Sequence, residues 1–417
     1  MDYSTQLTSI IEYFKKQEKP QSFFKIGAEF EYFVVKQSDY QTIDYNGVKN
    51  ILKTLENKGY LGIYEGNHLL GLKKNGNTFT LEPGSQLELS IEPKPNIIEL
   101  ETTYKEMMSE VLTVINQEGY ALMATGYQVK TKIKDLPLLP KKRYEIMDAY
   151  LSKKGKYARE MMRGTASLQI SLDFESEADF SQKYRVLTHL TPILSGIFGN
   201  SPMFEGQQNE ITNLRALIWD NCDPDRCGIV SYPEIDYQKY GAFILNCPPI
   251  FMIENNEVVE TNSILFKDLY QLKEEQLEHA LTMVFPDIRL KKYLEYRILD
   301  ALPYPLNFGL IALIKGLIYH KPNLEVLDQI FQNQTDYIKQ IKQEMYDLKA
   351  IKYNGYSFKD WLTYLLELAR LGLNEEEAAY LNYIICDEAR SIKDNLINLE
   401  RGVKEIEQNH KSLYRLF

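Results

Sequence analysis

The stretch from Thr80 to Pro93, TLEPGSQLELSIEP, alternates like a β-strand with two unlike faces. Successive side chains on a strand point to opposite faces, so residues two apart share a face. One predicted face is largely apolar. The other carries no Lys or Arg and consists of Glu82, Gly84, Gln86, Glu88, Ser90 and Glu92. Neighbouring carboxylates repel each other at neutral pH, so such a face needs either open water or bound cations.

Three other stretches alternate in the same way: GAEFEYFVV, RGTASLQISLDF from Arg163 to Phe174, and YLEYRILD. Their polar faces include Glu29, Glu31, Arg163, Gln169, Glu295 and Arg297. We predict that the four strands belong to one large antiparallel sheet, with apolar faces packed against helices and polar faces lining a common concave surface. Each strand taken alone is more typical of an ordinary sheet with a wet polar face, and only the four together, with interleaved arginines, favour a site. The sequence does not establish that the four are neighbours.

The composition is that of a globular protein, with 44% hydrophobic and 25% charged residues in 417. The net charge of −10 argues against nucleic-acid binding, which requires a basic surface. Apolar periodicity predicts helices over 307–319, 323–349, 357–371 and 375–409. We therefore predict an α+β fold and a single catalytic domain over 1–417, with a sheet-bearing body over about 20–306 and a helical C-terminal layer over about 307–417.

The sequence also limits where the protein works. Its four cysteines include Cys222 and Cys227 in CDPDRC, but there is no CxxC and no nearby histidine, which argues against a zinc site. The N-terminal residues lack the basic and apolar regions of a signal peptide. No apolar run approaches the roughly 20 residues of a membrane span. We expect a cytoplasmic protein that contacts neither membrane nor nucleic acid.

The predicted polar surface has the composition of a hard-cation site. Carboxylate and amide oxygens, with few histidines and no cysteine among them, suit Mg²⁺ or Mn²⁺ rather than zinc or copper. Mg²⁺ commonly bridges carboxylates to substrate phosphates, and interleaved arginines hold phosphoryl or carboxylate oxygens. This combination predicts nucleotide-dependent phosphoryl transfer. The chain contains no GxxxxGK[ST] motif, so ATP would bind without a P-loop.

Several longer segments carry a resemblance. They are GAEFEYF, SQLELSIEP with the preceding LEPG, LPKKRYEIMDAY, RGTASLQISLDFESEADF, GNSPMFEG, LRALIWDNCDPDRCG and FPDIRLKKYLEYR. Over roughly residues 20–320 the chain resembles the glutamate–cysteine ligase family of the plant and α-proteobacterial type, within the glutamine-synthetase-like superfamily. The resemblance implies an ATP-dependent ligase that phosphorylates the γ-carboxylate of L-glutamate and joins it to the amine of L-cysteine. It also implies a sheet funnel that holds Mg²⁺.

The resemblance further implies roles for individual residues. The implied metal ligands are Glu29, Glu31, Glu82, Glu88, Gln169 and Glu295, with Glu92 left outside the site as a solvated edge residue. The glutamate substrate would be held by Arg163 and Arg215, beside Trp219. Arg297 would contact the transferred phosphoryl group, so the nucleotide side of the site would include Gln169 and Arg297, and the catalytic pair would be Arg297 and Glu295. For two of these residues ordinary alternatives remain: Arg215 in a surface ion pair, and Trp219 in the core.

Some segments depart from the family pattern. The stretch YGAFILNCPPIFMIENN is divergent, and after YLEYR the chain reads ILDALPYPLNFG, without the Gly-rich, Trp-containing insertion of the family. The cysteine pairs of the plant members are not evident, so disulfide regulation is not expected. These departures leave the acceptor open between L-cysteine and another amine, in a monomer or a homodimer. A non-catalytic binding protein on the same fold is a third possibility, and retention of every candidate carboxylate argues against it.

Overall fold

The computed structural model describes residues 2–211, 213–230, 234–254, 257–332, 335–346 and 352–384. Within these ranges the strands are β1 (Ile26–Lys36), β2 (Leu61–Glu65), β3 (His68–Lys74), β4 (Asn77–Leu81), β5 (Leu87–Lys94), β6 (Tyr120–Met123), β7 (Leu168–Leu172), β8 (Met203–Phe204), β9 (Gln207–Gln208), β10 (Cys227–Gly228), β11 (Phe251–Glu254), β12 (Glu257–Glu260), β13 (Phe285–Pro286), β14 (Ile288–Leu290), β15 (Leu294–Tyr296), β16 (Lys352–Tyr353) and β17 (Tyr356–Ser357).

Helices surround these strands. They are α1 (Tyr3–Lys15), α2 (Tyr45–Glu56), α3 (Ile97–Gln117), α4 (Lys142–Leu151), α5 (Ala158–Gly164), α6 (Glu177–Phe198), α7 (Leu214–Asp220), α8 (Tyr237–Asn246), α9 (Phe266–Leu269), α10 (Glu274–Thr282), α11 (Leu306–Ile318), α12 (Lys321–Phe331), α13 (Thr335–Tyr346), α14 (Phe358–Leu371) and α15 (Glu375–Ala378), with short 3₁₀ turns at Gln21–Phe23, Ile133–Asp135 and Ala379–Leu381. None of the described helices is both long and apolar enough to span a membrane.

A nine-stranded antiparallel sheet positions everything that follows. Eight strands run in the order β14-β15-β7-β1-β5-β4-β3-β2, and β6 pairs with β1. The four stretches with acidic faces contribute β15, β7, β1 and β5, which are consecutive neighbours. The predicted large antiparallel sheet and the adjacency of these strands are therefore confirmed.

The apolar face of the sheet is buried against helices, as predicted. Phe30 of β1 lies against Tyr104 of α3, with ring centroids 4.8 Å apart, and against Phe308 of α11, at 5.7 Å. Two of these helices begin at N-cap residues. The Asn96 side chain accepts the Glu99 N–H at the start of α3, and the Ser176 side chain accepts the Asp179 N–H at the start of α6. Full burial of a Phe side chain stabilises a fold by about 1.5–3 kcal/mol, so these contacts help to fix the layer order.

The opening stretch Thr80–Pro93 is not one strand, so that part of the prediction is wrong. Strand β4 ends at Leu81, and β5 begins only at Leu87. Between them a turn is closed by the Glu82 N–H to the Gln86 carbonyl, at 3.0 Å, and by the Ser85 N–H to the Glu82 carbonyl, at 2.8 Å. Pro-Gly is a turn-forming pair. The period of two therefore holds from Leu87 onward, and Glu82 belongs to the turn.

The chain after the sheet is helical, with two differences from the prediction. The helix predicted over 323–349 is divided into α12 and α13, and the small hairpin β16–β17 precedes α14. Ser357 and Asp360 form a capping box at the start of α14. Of the helix predicted over 375–409, the described part contains α15 and a 3₁₀ turn, and residues 385–417 lie outside the described residues. The proposed division at about residue 306 stays a prediction.

Candidate active site

Strand pairing brings the predicted acidic side chains onto one face of the sheet. Glu31 lies directly opposite Glu88, and Glu29 lies directly opposite Gln169. Opposed residues of an antiparallel pair have Cβ atoms about 4.5–5.5 Å apart and point to the same side. Glu295 lies opposite Ser171 on the other side of β7. We call the surface formed by Glu29, Glu31, Glu88, Gln169 and Glu295 the acidic face.

Glu31 is the carboxylate of this face that other sheet residues orient most directly. Its Oε1 accepts hydrogen bonds from the Ser167 hydroxyl at 2.8 Å and the Gln169 amide at 2.9 Å. Its Oε2 accepts the Ser167 backbone N–H at 2.8 Å. Burial raises the pKa of Glu31, while Arg215 and these hydrogen bonds oppose the rise. The side chain is thus held in one orientation before any ligand arrives.

Three other carboxylates are poorly neutralised by the protein itself. Burial, followed by repulsion from Glu88 and Glu295, raises the pKa of Glu29 to about 8. Burial together with Glu82 and Glu31 raises the pKa of Glu88 to about 8, although the Thr80 and Ser90 hydroxyls donate to it at 2.7 and 3.2 Å. Burial and Glu31 raise the pKa of Glu82 to about 7. Burial and mutual repulsion therefore disfavour the charged form of these carboxyls, and the described cations do not fully offset that effect.

Glu295 has the opposite environment. It is fully buried, and its Oε2 accepts from Arg289 at 2.6 Å and from Arg297 at 2.8 Å, while Lys291 donates to Oε1 at 2.9 Å. Burial alone would raise the pKa of Glu295, but these three cations together hold it well below its usual range. The Glu295 carboxylate therefore stays ionised and holds the side chains of Arg289, Lys291 and Arg297 in place. Its predicted role as a metal ligand stays a prediction.

Two arginines and a tryptophan form a second group beside the acidic face. Arg297 donates to the Gln169 side-chain carbonyl at 2.5 Å, and its own backbone carbonyl accepts Arg215 Nη1 at 3.0 Å. The guanidinium carbons of Arg215 and Arg297 lie 5.6 and 5.8 Å from the Trp219 ring centroid, within cation–π range. Arg215 is only 2% exposed, so the alternative of a surface ion pair is wrong.

This group contains donors that no described residue satisfies. The Arg215 Nε and the Trp219 Nε1 are buried and have no hydrogen-bond partner among the described residues. A buried donor without a partner costs about 1–3 kcal/mol, so donors of this kind are commonly matched by a ligand or by water. They favour the predicted substrate-binding roles of Arg215 and Trp219, which stay predictions.

The alternation from Arg163 to Phe174 predicts that Arg163 shares a strand face with Gln169, and this prediction is wrong. Arg163 lies in the last turn of α5, and β7 begins only at Leu168. Thr165 has extended backbone angles, and its hydroxyl donates back to the Met161 carbonyl at 2.7 Å, so the helix that contains Arg163 ends one residue before Thr165. Arg163 donates to Asp148 at 2.9 Å and to the Leu136 carbonyl at 3.1 Å. Its role in glutamate binding stays a prediction.

Sequence reasoning missed several cations around the site. Lys141 and Arg143, at the start of α4, attract the charge of Glu82. Burial and the neighbouring Arg143 lower the pKa of Lys141 to about 8. Lys291 attracts the charge of Glu29 from the turn between β14 and β15. The basic runs KKR and RLKK were the available signal, but such runs usually lie on solvated surfaces, and only the fold shows which carboxylates they face.

The acidic face and Glu82 fit a divalent cation in donor type and in charge. Glu29, Glu31, Glu82 and Glu88 offer oxygen donors only, as Mg²⁺ requires, and burial raises the pKa values of all four. Among the described residues, no three His, Cys, Asp or Glu side chains are already gathered as a metal-ligand group. The carboxylates would thus have to turn towards the ion when it binds.

A pH-dependent stabilisation by Mg²⁺ is expected from these pKa values. A carboxyl whose pKa is about 8 when folded, against 4.5 ordinarily, keeps a proton that the unfolded chain has lost. The free energy of unfolding therefore falls as pH rises between the ordinary pKa of 4.5 and the folded-state pKa of about 8. We expect Mg²⁺ to raise the melting temperature clearly at about pH 8.5 and little at about pH 6.

Thermal unfolding with and without Mg²⁺ at both pH values measures this effect. The matched pair of variants is Glu88→Gln, which should flatten the pH profile of the metal-free protein, and Glu92→Gln, which removes an exposed carboxylate of the same strand and should change nothing. A metal-free melting temperature that stays level from about pH 6 to about pH 8.5 would contradict the expectation.

Comparisons with known proteins agree with this architecture. The family described as glutamate–cysteine ligase family 2 matches residues 25–379. A chloroplastic glutamate–cysteine ligase B of Oryza sativa subsp. japonica is 31% identical over 372 residues, covering 85% of this chain and 75% of that protein. The chloroplastic glutamate–cysteine ligase of Arabidopsis thaliana is 29% identical over 397 residues, covering 90% of this chain and 76% of that protein.

A solved structure shows the same fold at lower sequence similarity. The glutamate–cysteine ligase of Francisella tularensis, crystallised in complex with AMP, superposes with a TM-score of 0.58 at 13% sequence identity. The alignment covers 94% of this chain and 88% of that chain. This similarity extends over nearly the whole chain and concerns the fold alone.

Proposed function

This chain belongs to glutamate–cysteine ligase family 2, and from that premise we propose that it forms γ-glutamylcysteine from L-glutamate, L-cysteine and ATP, releasing ADP and phosphate. The observation that carries the proposal is the acidic face itself. Glu31 opposes Glu88 and Glu29 opposes Gln169 on adjacent strands, and Arg297 reaches the same surface. Carboxylates for metal ions and arginines for oxyanions are the parts that phosphoryl transfer needs.

We propose Glu29, Glu31, Glu82 and Glu88 as the residues that hold Mg²⁺. When bound, Mg²⁺ supplies charge neutralisation at the phosphate oxygens of ATP. The raised pKa values of these four carboxylates support the assignment, because a cation would bring them back towards the ordinary value. Lys141 and Arg143 lie beside Glu82 and would attract a further anionic group of either substrate.

Arg297 acts on the transferred phosphoryl group in this proposal. Its guanidinium is fixed by Glu295 and by the Gln169 carbonyl, so its remaining donors are presented in one direction. A planar guanidinium pairs well with phosphoryl oxygens. Glu295 contributes by orienting Arg297, while Arg289 and Lys291 balance the charge of the Glu295 carboxylate. The Arg297 guanidinium is thus already oriented in the free enzyme to stabilise the negative charge that develops during phosphoryl transfer.

The chemistry consists of two displacements on the substrates. An oxygen of the glutamate γ-carboxylate attacks the γ-phosphorus of ATP, and the bond to the ADP oxygen breaks. The amine then attacks the acyl carbon, loses a proton, and expels phosphate as the amide forms. Arg215 and Trp219 would hold glutamate in place through their unsatisfied donors. The protein supplies no covalent nucleophile, so positioning accounts for much of the rate.

The acceptor amine and the setting of the enzyme belong to the proposal too. We retain L-cysteine as the acceptor because the relatives carry that name, although the segment YGAFILNCPPIFMIENN diverges from the family. We also retain a cytoplasmic location, while the names of those relatives place them in chloroplasts. A monomer or homodimer that acts on small molecules remains our expectation.

The test is an assay with ATP, Mg²⁺ and L-glutamate plus a panel of amines that includes L-cysteine. Phosphate release and product mass are followed together, with glutamate omitted in the blank. Phosphate and a γ-glutamylcysteine mass with cysteine are the expected result. A product with another amine but none with cysteine would replace the acceptor. No phosphate with any amine would leave the chain without the proposed activity.

A further inference from the structure

Outside the acidic face, the described part of the chain contains another buried ionic cluster, and it lies where the C-terminal helices meet the site. Lys342 of α13 donates to Asp220 at 2.8 Å and to Asp287 at 2.7 Å. The Tyr346 hydroxyl donates to the other oxygen of Asp220. Lys342 and Asp287 are both 4% exposed. Burial would lower the pKa of Lys342, but Asp220 and Asp287 raise it, so the residue is cationic.

Such a cluster is a costly way to join two layers. Removing charges from water costs several kcal/mol per ion, and well-packed apolar residues commonly give equal or better stability. The surrounding helices already supply apolar contacts: Ile338, Ile341 and Met345 of α13 are buried. Unlike apolar packing, a cation that is hydrogen-bonded to two carboxylates fixes the distance and the relative orientation of those carboxylates.

Both carboxylates belong to segments that carry site residues. Asp220 is the last residue of α7 and directly follows Trp219, and Arg215 lies in the same helix. The backbone carbonyl of Asp287 accepts the Arg297 N–H at 2.9 Å. Arg215 in turn donates to the Arg297 carbonyl at 3.0 Å. Lys342 therefore links α7, which carries Arg215 and Trp219, to Asp287, which is hydrogen-bonded to Arg297. The bond from Arg215 to the Arg297 carbonyl completes a closed series of contacts.

We propose that Lys342 is a positioning residue of the active site. It holds α7 against Asp287, the residue between β13 and β14, and so sets the spacing between Trp219, Arg215 and Arg297. The inference rests on the proposed function, in which these three side chains bind glutamate and the transferred phosphoryl group. It makes the helical C-terminal layer part of the catalytic apparatus, since α13 contributes the cation.

The test compares charge-matched variants. Lys342→Met alone leaves the buried Asp287 and the half-buried Asp220 without their cation, so this single variant is expected to lose stability. The double variant Lys342→Met/Asp287→Asn removes one cation and one carboxylate together, so the net charge of the cluster is that of the wild type. Lys339→Met, on an exposed position of the same helix, is the control. Thermal unfolding first establishes that each variant is folded.

Two readouts then separate positioning from stability. The first is kcat and KM for glutamate and ATP. We expect the folded double variant to lose about 10²-fold in kcat/KM, the scale expected when reacting groups are displaced by about 1 Å. The second is the fluorescence of Trp219 without ligand, measured in a Trp361→Phe background because the chain has two tryptophans. We expect a changed emission maximum in the double variant and none in the Lys339→Met control.

Each outcome has a defined meaning. A folded double variant with wild-type kcat/KM and unchanged Trp219 emission would overturn the role of Lys342. If the wild type itself forms no product with any amine, the proposed function fails, and the ligand-free fluorescence still tests the positioning. A shift confined to the double variant supports the positioning role in that case, and the absence of a shift overturns it.

Discussion

Replacing Glu88 by Gln should lower kcat by about 10²–10³-fold, the scale seen when one preorganised electrostatic group of an active site is removed. Glu88 lies opposite Glu31 on the adjacent strand, and among the described residues its side chain accepts only from the hydroxyls of Thr80 and Ser90. A neutral amide at this position keeps the size of the side chain but removes one negative charge from the proposed Mg²⁺ site. Affinity for Mg²⁺ should fall along with turnover.

The same substitution should stabilise the metal-free protein. Glu88 repels Glu82 and Glu31 in a buried setting, and Gln ends that repulsion. Activity and stability are thus expected to move in opposite directions, as at sites where strain serves function. Steady-state kinetics over a Mg²⁺ series and thermal unfolding at about pH 8.5 measure the two effects.

Glu92→Gln is the matched control, because Glu92 belongs to the same strand but is exposed. It should leave kcat, Mg²⁺ dependence and melting temperature unchanged. If Glu88→Gln retained full turnover at low Mg²⁺, Glu88 would have to be removed from the proposed metal site.

Strand periodicity explains why much of the acidic face could be predicted. A period of two is a geometric property of the strand, so the alternation of Glu29 and Glu31, and of Glu88 and Ser90, specifies a common face before any partner is known. Pairing strands by their apolar faces then places Glu31 near Glu88. The exposure of Glu92 also agrees with the prediction that it lies outside the site.

The same reasoning failed where the chain leaves regular strands. Glu82 and Arg163 were assigned by extending the alternation, but a Pro-Gly turn and a helical turn intervene. Turns and helix ends have no period that places their side chains on a sheet face. The contacts of Lys141 and Lys342 could not be predicted from the sequence for another reason. Their partners are distant in sequence, and Lys342 meets Asp220 across 122 positions.

Glu295→Gln should abolish turnover and also destabilise the fold, which distinguishes it from Glu88→Gln. Glu295 is fully buried among Arg289, Lys291 and Arg297. Removing one member of a buried ion cluster commonly costs about 3–5 kcal/mol, because the remaining charges lose their compensation. The low pKa of Glu295 means that this contribution is present throughout neutral pH and is lost only in acid.

The two losses can be separated by comparing Glu295→Gln with Arg289→Met. Both variants break the pair between Arg289 and Glu295, but among the described residues Arg289 otherwise donates only to the Val284 carbonyl and makes no hydrogen bond to Gln169. Arg289→Met should therefore lower the melting temperature while its folded fraction keeps most of its kcat. Glu295→Gln frees Arg297 from its carboxylate, so kcat should stay at least about 10²-fold lower even at a temperature where circular dichroism shows the protein folded. A kcat near the wild-type value in both folded variants would mean that Glu295 acts only on stability, and Gln169 alone would then suffice to orient Arg297.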